Sequence, residues 1–354
     1  MRICIVTDAW SPQVNGVVRT LEATRAELER QGHTVDVIAP SDYRSVPCPT
    51  YPEIRLAIVT RSRVGARIEA LAPDALHIAT EGPLGIAARA WAVRTGAAFT
   101  TAYHTHFPDY LARRTRLPAA PFWRFIRWFH KPAAATMAAT AALRDELAAH
   151  GVGPTLPWGR GVDFAQFGPD GDYHPAFRGL PGPIALYVGR IAVEKSLEDF
   201  LALDLPGTKM VVGDGPARAA LEARFPKARF LGTMTGAALA AAYRSADVFV
   251  FPSRTDTFGL VMVEALACGT PVAAYPEDGP AAIVTEDTGV LDTDLARAVR
   301  GALVKDRDAC AARARAFGWE AATAQFLAGL TPRQGAAVPD RASDGHKRSV
   351  LRIA

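Results

Sequence analysis

The residues with the clearest chemical pattern lie in the segment FPSRTDTFGLVMVEALACG, residues 251–269. It contains an acidic residue, Asp256, then a glycine turn at Gly259, and then an apolar stretch of helical length with a single acid, Glu264. A helix that opens on a glycine turn leaves its first backbone N–H groups without partners, and such groups attract a phosphate. Glu264 lies further along the helix, where it can accept from sugar hydroxyls. The segment therefore predicts a seat for a nucleotide diphosphate-sugar.

The composition limits the classes of protein that this chain can belong to. With 354 residues, 49% of them apolar and 21% charged, the chain can form two globular domains with separate cores. It has no apolar run near the roughly 20 residues of a membrane-spanning helix, and its opening MRICIVTDAW is typical of a buried strand rather than a secretory signal. We therefore expect a cytoplasmic location. Four scattered cysteines indicate neither a disulfide framework nor a zinc site: Cys4, Cys48, Cys268 and Cys310.

Strand and helix patterns alternate in both halves of the chain, which predicts an α/β fold with doubly wound layers. In the first half we expect strands at 2–7, 34–40, 76–79 and 98–102, with helices from residue 16 to about 31, near 84–94 and at 136–149. In the second half we expect strands at 184–189, 209–215, 229–232, 246–253 and 270–276, with helices at 194–203, 216–224, 236–244 and 259–268. A Gly/Pro-rich interval, residues 151–183, separates the halves. The predicted units are an N-terminal domain (1–165), a C-terminal domain (166–315), a C-terminal helix (316–330) and a mobile basic tail (331–354).

A basic and aromatic segment lies between Asp109 and Asp145, where no acidic residue occurs. At helical spacing, residues 121–131 can place aromatic rings on one broad face with cations beside them, as in a helix that lies in a lipid interface. A domain helix can equally bury the rings and leave its arginines solvated, and both interpretations stay open. No nucleic-acid recognition motif accompanies the segment, so we expect no nucleic-acid partner. The candidate membrane or acceptor residues are Phe122, Trp123, Arg124, Arg127 and Trp128.

An ordered set of motifs connects the two halves to a known family. The motifs are GVDFAQFGP (161–169), GRIAVEKS (189–196), VVGDGP (211–216), LGTM (231–234) and SADVFVFPSRTDTFGLVMVEALACG (245–269). As a set they resemble the retaining glycosyltransferases of family four, which have the GT-B fold, and the resemblance extends from the first residues to about residue 330. It implies two Rossmann-like domains that face each other across a cleft. The acceptor would bind to the first domain and the nucleotide-sugar mainly to the second, and helix 316–330 would cross back to the first.

The resemblance assigns the leaving group to two cations, Arg190 and Lys195. In the family the matching residues clamp the diphosphate, on which negative charge builds up in the transition state. Two such cations can replace a divalent metal, and we find no HExxH-like or DxD-like ligand pair in this context. We therefore expect no metal and no other cofactor.

The resemblance also assigns residues to the donor. Glu264 would accept from the nucleotide ribose hydroxyls. Asp256 stands where the family usually has Glu, and the missing methylene withdraws its carboxylate by about 1.5 Å, which alters its expected contact with the donor sugar. We nevertheless predict that Asp256 is a catalytic residue. The further donor-binding candidates are Gly213 and the residues Phe258, Gly259 and Leu260, whose backbone amides would reach the sugar or diphosphate.

In the first domain, Asn15 and Gly16 open the helix after the first strand, and the resemblance places this loop at the cleft floor, near the diphosphate and the acceptor. Both residues are therefore donor-binding candidates. Simple N-capping by Asn15 competes with this interpretation. His104, in AYHTHFPDY (102–110), best matches the family's catalytic cleft histidine, while His106 lies close enough in sequence to be its alternative. Asp109 is a weaker candidate on the acceptor side.

The position of the basic aromatic segment, directly after the histidine loop, points to a lipid acceptor. In this arrangement the chain resembles the diacylglycerol glycosyltransferases, whose transferred groups include sulfoquinovosyl, glucosyl and glucuronosyl, and also the lipid mannosyltransferases. We therefore predict a retaining hexosyltransferase that uses a nucleoside diphosphate-sugar, with a UDP-sugar favoured, and makes a glycolipid. Its partners would be the donor, the lipid acceptor and the anionic inner face of the membrane.

Other classes share part of this pattern. A GDP-mannose-dependent mannosyltransferase would use the same clamp on a lipid or glycan acceptor. A nucleotide-sugar epimerase or hydrolase of the same fold would also bind the donor but transfer nothing. A dinucleotide-dependent oxidoreductase is disfavoured, because Arg218 and Pro216 interrupt the glycine fingerprint in GDGPAR (213–218).

Overall fold

The N-terminal domain is built on a six-stranded parallel sheet with the strand order β2-β1-β5-β6-β7-β8. The computed structural model describes residues 1–13, 15–48, 51–104 and 118–333 of the chain. The strands of this sheet are β1 (Arg2–Val6), β2 (Thr34–Ile38), β5 (Ala75–Ile78), β6 (Thr100–Ala102), β7 (Ala135–Ala138) and β8 (Thr155–Pro157). A separate antiparallel hairpin is formed by β3 (Ser45–Cys48) and β4 (Tyr51–Ala57).

Helices cover both faces of this sheet, and the first strand shows why. Ile3 and Ile5 point to one face, where helix α1 packs, while Cys4 and Val6 point to the opposite face and its own helices. A strand buried on both faces is apolar at every position, as RICIV nearly is. The helices of this domain are α1 (Gly16–Arg30), α2 (Arg61–Leu71), α3 (Pro83–Thr95), α4 (Ala120–His130) and α5 (Ala141–Ala149).

The C-terminal domain repeats the architecture with a second parallel sheet in the order β11-β10-β9-β12-β13-β14. Its strands are β9 (Ile184–Val188), β10 (Thr208–Val212), β11 (Arg229–Phe230), β12 (Val248–Phe251), β13 (Val272–Ala274) and β14 (Gly289–Leu291). Its helices are α6 (Leu197–Leu201), α7 (Arg218–Arg224), α8 (Gly236–Ser245), α9 (Leu260–Ala267), α10 (Asp278–Ile283), α11 (Leu295–Ala302) and α12 (Arg307–Ala314). Apolar clusters lie on both faces of this sheet as well.

The last helix, α13 (Trp319–Gly329), packs on the N-terminal domain. Its Phe326 lies in the cluster that contains Ile3 and Ile5. Where the chain crosses between the sheets for the second time, it runs beside the first crossing, and the backbone N–H of Val162 donates to the carbonyl of Phe317 at 3.0 Å. The two crossings are therefore joined to each other.

Some local predictions were wrong. The predicted helix 136–149 begins only at Ala141, because ATMA (Ala135–Ala138) is a buried strand between two other strands. Alanine fits a helix and a crowded sheet equally well, so periodicity could not distinguish them. The hairpin β3–β4 was not predicted. Of the predicted tail 331–354, Arg333 donates its backbone N–H to Asp74 at 2.8 Å, and the residues after it lie outside the described part. Among the described helices, none has the length and apolar character that crossing a membrane requires.

Candidate active site

The predicted phosphate seat lies where α9 begins. Gly259 has φ 95°, and a Cβ there would lie 2.6 Å from Met262 Cε and 3.1 Å from Phe251 Cζ, so both backbone and space require glycine. No side chain caps α9, and its first turn begins at Leu260. Phe258 anchors the preceding loop, because its ring is buried against Phe317. The turn therefore presents backbone N–H groups with the positive end of a helix dipole behind them.

Lys195 and Asp256 lie together beside this turn. The Nζ of Lys195 is 2.6 Å from Oδ1 of Asp256, and each side chain is 24% exposed. Lys195 ends a short 3-10 turn that follows β9. In the same connection, Arg190 is positioned through its backbone, because the hydroxyl of Tyr187 donates to its carbonyl at 2.8 Å. The structure thus brings together two predicted site residues from distant motifs. Either side chain can leave this ion pair to contact a ligand.

Glu264 lies on α9, and its buried carboxylate accepts one hydrogen bond from each domain. Nη1 of Arg19, on α1, donates to its Oε1 at 2.6 Å, and the hydroxyl of Tyr243 donates to its Oε2 at 2.9 Å. Burial raises the pKa of Glu264, while the Arg19 guanidinium and the Tyr243 hydroxyl act in the opposite direction. The carboxylate is therefore oriented from two sides.

The N-terminal side of the site is the start of α1. Oδ1 of Asn15 accepts from the backbone N–H groups of Val17 and Val18, each at 3.0 Å, so this side chain caps the helix as the competing interpretation proposed. A Cβ on Gly16 would lie 3.8 Å from Cδ1 of Leu260. The first turns of α1 and α9 thus meet between the domains.

His104 follows β6 and is held by residues from two other parts of the chain. Its Nδ1 accepts from Nη2 of Arg160 at 2.9 Å, and its carbonyl accepts from Oγ1 of Thr257 at 2.7 Å. Its ring meets the edge of Trp158, with the centroids 5.4 Å apart. Burial, and secondly the Arg160 guanidinium, hold the pKa of His104 well below its usual value. Arginine only donates, so Nδ1 carries no proton and the proton is on Nε2, which is buried without a hydrogen-bond partner in the described part.

Arg160 itself is fixed and buried. Its Nη1 donates to the carbonyls of Trp158 and Gly159 at 2.7 and 3.0 Å, and its guanidinium lies 5.0 Å from the Trp158 ring centroid. Burial lowers the pKa of Arg160 to about 10, so it still carries its charge at neutral pH. Its three directed contacts leave the guanidinium little freedom to leave His104.

Several residues of the site were missed from the sequence. Arg19 lies three residues after Gly16, and Arg160 directly precedes the motif GVDFAQFGP, so both adjoin residues that were already named. Tyr243 carries no sequence signal, because a tyrosine on an alanine-rich helix is typical of a core. Asp8 was also missed. Its carboxylate accepts from the N–H groups of Leu84 and Gly85 at 2.9 and 3.2 Å, and thereby caps α3.

Gly213 has a packing role in the structure. A Cβ on it would lie 1.9 Å from the carbonyl oxygen of Gly189, and its own N–H donates to the carbonyl of Gly232 at 2.8 Å. Its amide is therefore used within the protein, and its assignment to the donor remains a prediction. Two other candidates, His106 and Asp109, lie outside the described residues.

The basic aromatic segment forms α4, and the structure divides its residues between two environments. Trp123 is buried, stacked on His150 with the ring centroids 3.7 Å apart, so its assignment to a membrane surface was wrong. Phe122 is half-buried, while Trp128 is 46% exposed beneath the guanidinium of Arg89. The exposed cations are Arg124 and Arg127, which line a cavity of about 470 Å³ with Trp123, Glu146 and His150.

Among the described residues, no group of three His, Cys, Asp or Glu side chains is arranged to hold a metal ion. The cations near the helix turn are Arg190 and Lys195, and their assignment to the diphosphate remains a prediction.

Comparison with known proteins gives the same two units. Residues 14–166 match the family model described as Glycosyltransferase Family 4, and residues 182–317 match the one described as Glycosyl transferases group 1. A GDP-mannose-dependent alpha-mannosyltransferase of Mycolicibacterium smegmatis is 36% identical over 320 residues, which cover 82% of this chain and 84% of that protein.

The descriptions of two further relatives name sugars other than mannose. Sulfoquinovosyl transferase SQD2 of Arabidopsis thaliana is 36% identical over 264 residues, and the match spans 69% of this chain but only 51% of that protein. Alpha-monoglucosyldiacylglycerol synthase of Streptococcus pneumoniae is 25% identical over 352 residues, covering 87% and 79% of the two chains.

Among solved structures, sucrose-phosphate synthase from Thermosynechococcus elongatus superimposes with a TM-score of 0.75 at 22% identity, covering 92% of this chain and 97% of that one. At this identity the likeness concerns the fold.

Proposed function

Because this chain belongs to glycosyltransferase family 4 and has the GT-B fold, we propose that it is a retaining, metal-independent hexosyltransferase that uses a nucleoside diphosphate-sugar and a membrane lipid acceptor. The observation that carries the proposal is the convergence of four features between the two sheets. These are the uncapped start of α9, the Lys195–Asp256 pair, the buried Glu264 and the Nε2–H of His104.

The leaving group would be stabilised by the C-terminal domain. As the bond between the anomeric carbon and the β-phosphate oxygen breaks, negative charge grows on the diphosphate. Lys195, which pairs with Asp256 when no donor is bound, would turn to this charge. Arg190 and the first N–H groups of α9 would complete the anion site. This positive charge takes the place that a divalent ion would fill, which supports metal independence.

Transfer with retention would follow from attack on the same face of the sugar. The acceptor hydroxyl oxygen forms the new bond to the anomeric carbon, and its proton passes to the departing phosphate oxygen. No carboxylate is then needed as a nucleophile. His104 would donate its Nε2–H to a hydroxyl of the donor sugar, and Asp256 would accept from another. Both then orient the sugar rather than transfer protons.

A lipid acceptor is supported by α4 and by the relatives. Arg124, Arg127 and Trp128 are exposed on one helix of the acceptor domain, a combination that favours an anionic membrane surface. One relative is described as an alpha-monoglucosyldiacylglycerol synthase. We propose that the enzyme acts peripherally at the inner face of the membrane, with diacylglycerol as acceptor.

The donor base has two candidates. The sequence interpretation favours a UDP-sugar. The relative that aligns over 84% of its own length is described as GDP-mannose-dependent, and this supports GDP-mannose as the second candidate, with a lipid or glycan acceptor.

The decisive experiment is a transfer assay with the full chain and vesicles that contain diacylglycerol and an anionic lipid. The donors are UDP-glucose, UDP-glucuronate, UDP-galactose, UDP-sulfoquinovose and GDP-mannose, each with and without EDTA. We expect one donor to give a glycolipid whose anomeric configuration, read by NMR, matches that of the donor, with EDTA having no effect. Donor breakdown at full rate without acceptor, an inverted product, or loss of activity in EDTA would each contradict the corresponding part of the proposal.

Membrane association is tested separately by vesicle flotation. Replacing Arg124 and Arg127 by Gln should weaken binding to anionic vesicles about 30-fold, since each cation near such a surface contributes about 1 kcal/mol. The matched control replaces two exposed arginines elsewhere, Arg94 and Arg229, by Gln. Equal binding by both double variants would remove α4 from the proposed membrane surface.

A further inference from the structure

The carboxylate of Glu264 is held by two domains at once. Arg19 comes from α1 of the N-terminal domain and Tyr243 from α8 of the C-terminal domain, and each donates to a different oxygen. The Glu264 side chain is 7% exposed, whereas that of Arg19 is 34% exposed. Only a narrow edge of the carboxylate can therefore meet a ligand.

The hydrogen-bonding capacity of the carboxylate limits what that ligand can be. An ionised carboxylate has about four acceptor positions, and Arg19 and Tyr243 occupy one on each oxygen. One position on each oxygen remains, which suits two neighbouring donors such as the vicinal hydroxyls of a ribose. A carboxylate that was free to rotate would present this pair of acceptors only part of the time.

The Tyr243 side chain is fixed by packing, and Arg19 is positioned through the backbone of α1. Tyr243 is fully buried, its ring packs on Phe249 with centroids 5.6 Å apart, and its carbonyl accepts from Oγ1 of Thr270 at 2.7 Å. Arg19 follows the capped start of α1, whose Gly16 approaches Leu260 at the start of α9. The candidate nucleotide-binding residue of the C-terminal domain, Glu264, is thus held by a cation of the N-terminal domain, Arg19.

We propose that Arg19 and Tyr243 are positioning residues that orient the Glu264 carboxylate toward the two ribose hydroxyls of the nucleotide. The inference rests on the proposed function, in which Glu264 accepts from the ribose. It adds that nucleotide affinity depends on a residue of the acceptor domain, although Lys195 and the start of α9, which belong to the proposed diphosphate seat, lie in the other. The guanidinium also lowers the pKa of the carboxyl group, which burial raises, and so favours the ionised form that accepts two hydroxyl protons.

The test measures the affinity for UDP and GDP, and for their 2′,3′-dideoxy forms, by isothermal titration calorimetry on the full chain. For the natural protein, removal of the two hydroxyls should weaken binding of the preferred nucleotide at least about tenfold, since two hydrogen bonds to a charged acceptor are lost. In Arg19→Met the same removal should weaken binding by about threefold or less. Tyr243→Phe, which keeps the ring, should show the same reduced dependence. Arg19→Lys should recover part of the tenfold difference.

The control variant is Arg25→Met on the same helix. Arg25 forms an ion pair with Glu29 at 2.8 Å, and this pair lies away from the site. In Arg25→Met, removal of the two ribose hydroxyls should weaken nucleotide binding as much as it does in the natural protein. Thermal melting of each variant shows that the fold is retained.

The outcomes separate the two levels of the argument. If the natural protein binds both forms of the preferred nucleotide equally, the ribose role of Glu264 in the proposed function fails. If it discriminates and Arg19→Met discriminates equally well, the positioning role fails while the proposed function stands. If Arg19→Met binds the natural and the dideoxy nucleotide more weakly by the same factor, Arg19 is a phosphate ligand. If it binds both more tightly by the same factor, Arg19 competes with the nucleotide for Glu264. Either result also overturns the positioning role.

Discussion

At the scale of single residues, the site separates groups that carry charge from groups that only donate hydrogen bonds. Lys195 and Asp256 form an ion pair, whereas His104 is neutral because it is buried next to the guanidinium of Arg160. A neutral imidazole with its proton on Nε2 can orient a sugar but cannot release a second proton. The roles of these residues therefore follow from their surroundings rather than from their residue types.

Substitutions of His104 test this role. Glutamine also offers an N–H donor, so His104→Gln should retain much of kcat/KM, whereas His104→Ala should lose about tenfold or more, as expected for one lost hydrogen bond in the transition state. Steady-state kinetics on both variants provide the comparison. Equal losses in the two variants would show that the donor function is not what matters.

Acid should destabilise the folded chain through its buried histidines. Burial lowers the pKa of His77 to about 3, and His104 is lowered as well, so the unfolded chain binds protons at a pH where the folded chain does not. The stability from these two residues is complete above about pH 6.5 and decreases as the pH falls below it. Thermal melts across this range should show Tm falling with pH, less steeply in His104→Gln. An identical slope in that variant would contradict the assignment.

The leaving-group role of Lys195 predicts a rate effect. Lys195→Gln removes the cation but keeps much of the side chain, and kcat should fall about 10²-fold because the lost interaction is strongest in the transition state. The exposed Lys227 on the same domain supplies the control, Lys227→Gln. A rise in KM with unchanged kcat would instead assign Lys195 to ground-state binding.

At the scale of secondary structure elements, α4 has a buried face and an exposed face that its sequence could not separate. One face contributes Trp123, Ile126 and Phe129 to the core, and the other presents Arg124 and Arg127 to solvent. The burial interpretation is confirmed for these three rings. The lipid-interface interpretation remains a prediction for the exposed arginines and Trp128.

The two tryptophans of α4 should respond oppositely to truncation. Trp123→Ala removes a buried ring and should lower the stability by about 3–5 kcal/mol. Trp128→Ala, at a site that is 46% exposed, should change it by about 0.5 kcal/mol and weaken vesicle binding instead. Denaturant unfolding and flotation measure the two effects. Comparable destabilisation in both variants would mean that Trp128 also belongs to the core.

At the scale of the whole molecule, the two domains are connected by a pair of crossing segments that lie side by side. Val162, in the first crossing, forms a parallel bridge with Gly318 in the second. Contacts across the cleft come from Arg19 with Glu264 and from Thr257 with the carbonyl of His104. Opening of the cleft would break these contacts while the crossings remain joined, as expected of a hinge.

Close packing of the crossings can be tested at Gly161. A Cβ there would lie 2.5 Å from the backbone nitrogen of Trp319, so Gly161→Ala must displace one crossing from the other. We expect a loss of about 1–3 kcal/mol, seen as a lower Tm. Gly168→Ala is the matched control, because nothing lies within 4 Å of a Cβ at that position. An unchanged Tm in Gly161→Ala would show that the crossings can separate freely.

The sequence by itself determined the fold class, the family and most of the elements. Apolar runs such as RICIV and VFVF predict buried parallel strands because every side chain of such a strand is covered, and the glycine turn before α9 follows from a local backbone need. The predicted family and GT-B fold are confirmed by the family matches and structural neighbours. These features depend on a few consecutive residues, or on motifs whose order in the chain is itself informative.

Only the tertiary structure decided which residues meet across the cleft and which face of α4 is buried. Arg19 and Glu264 are 245 positions apart, and no local pattern relates them. Arg160 was visible in a recognised stretch of sequence, yet its contact with His104 depends on how the first crossing passes the end of β6. Trp123 is buried because Tyr103 and His150 provide stacking partners for its ring. Periodicity shows that a helix has an apolar face, but what covers that face is settled by the packing of segments that are distant in the chain.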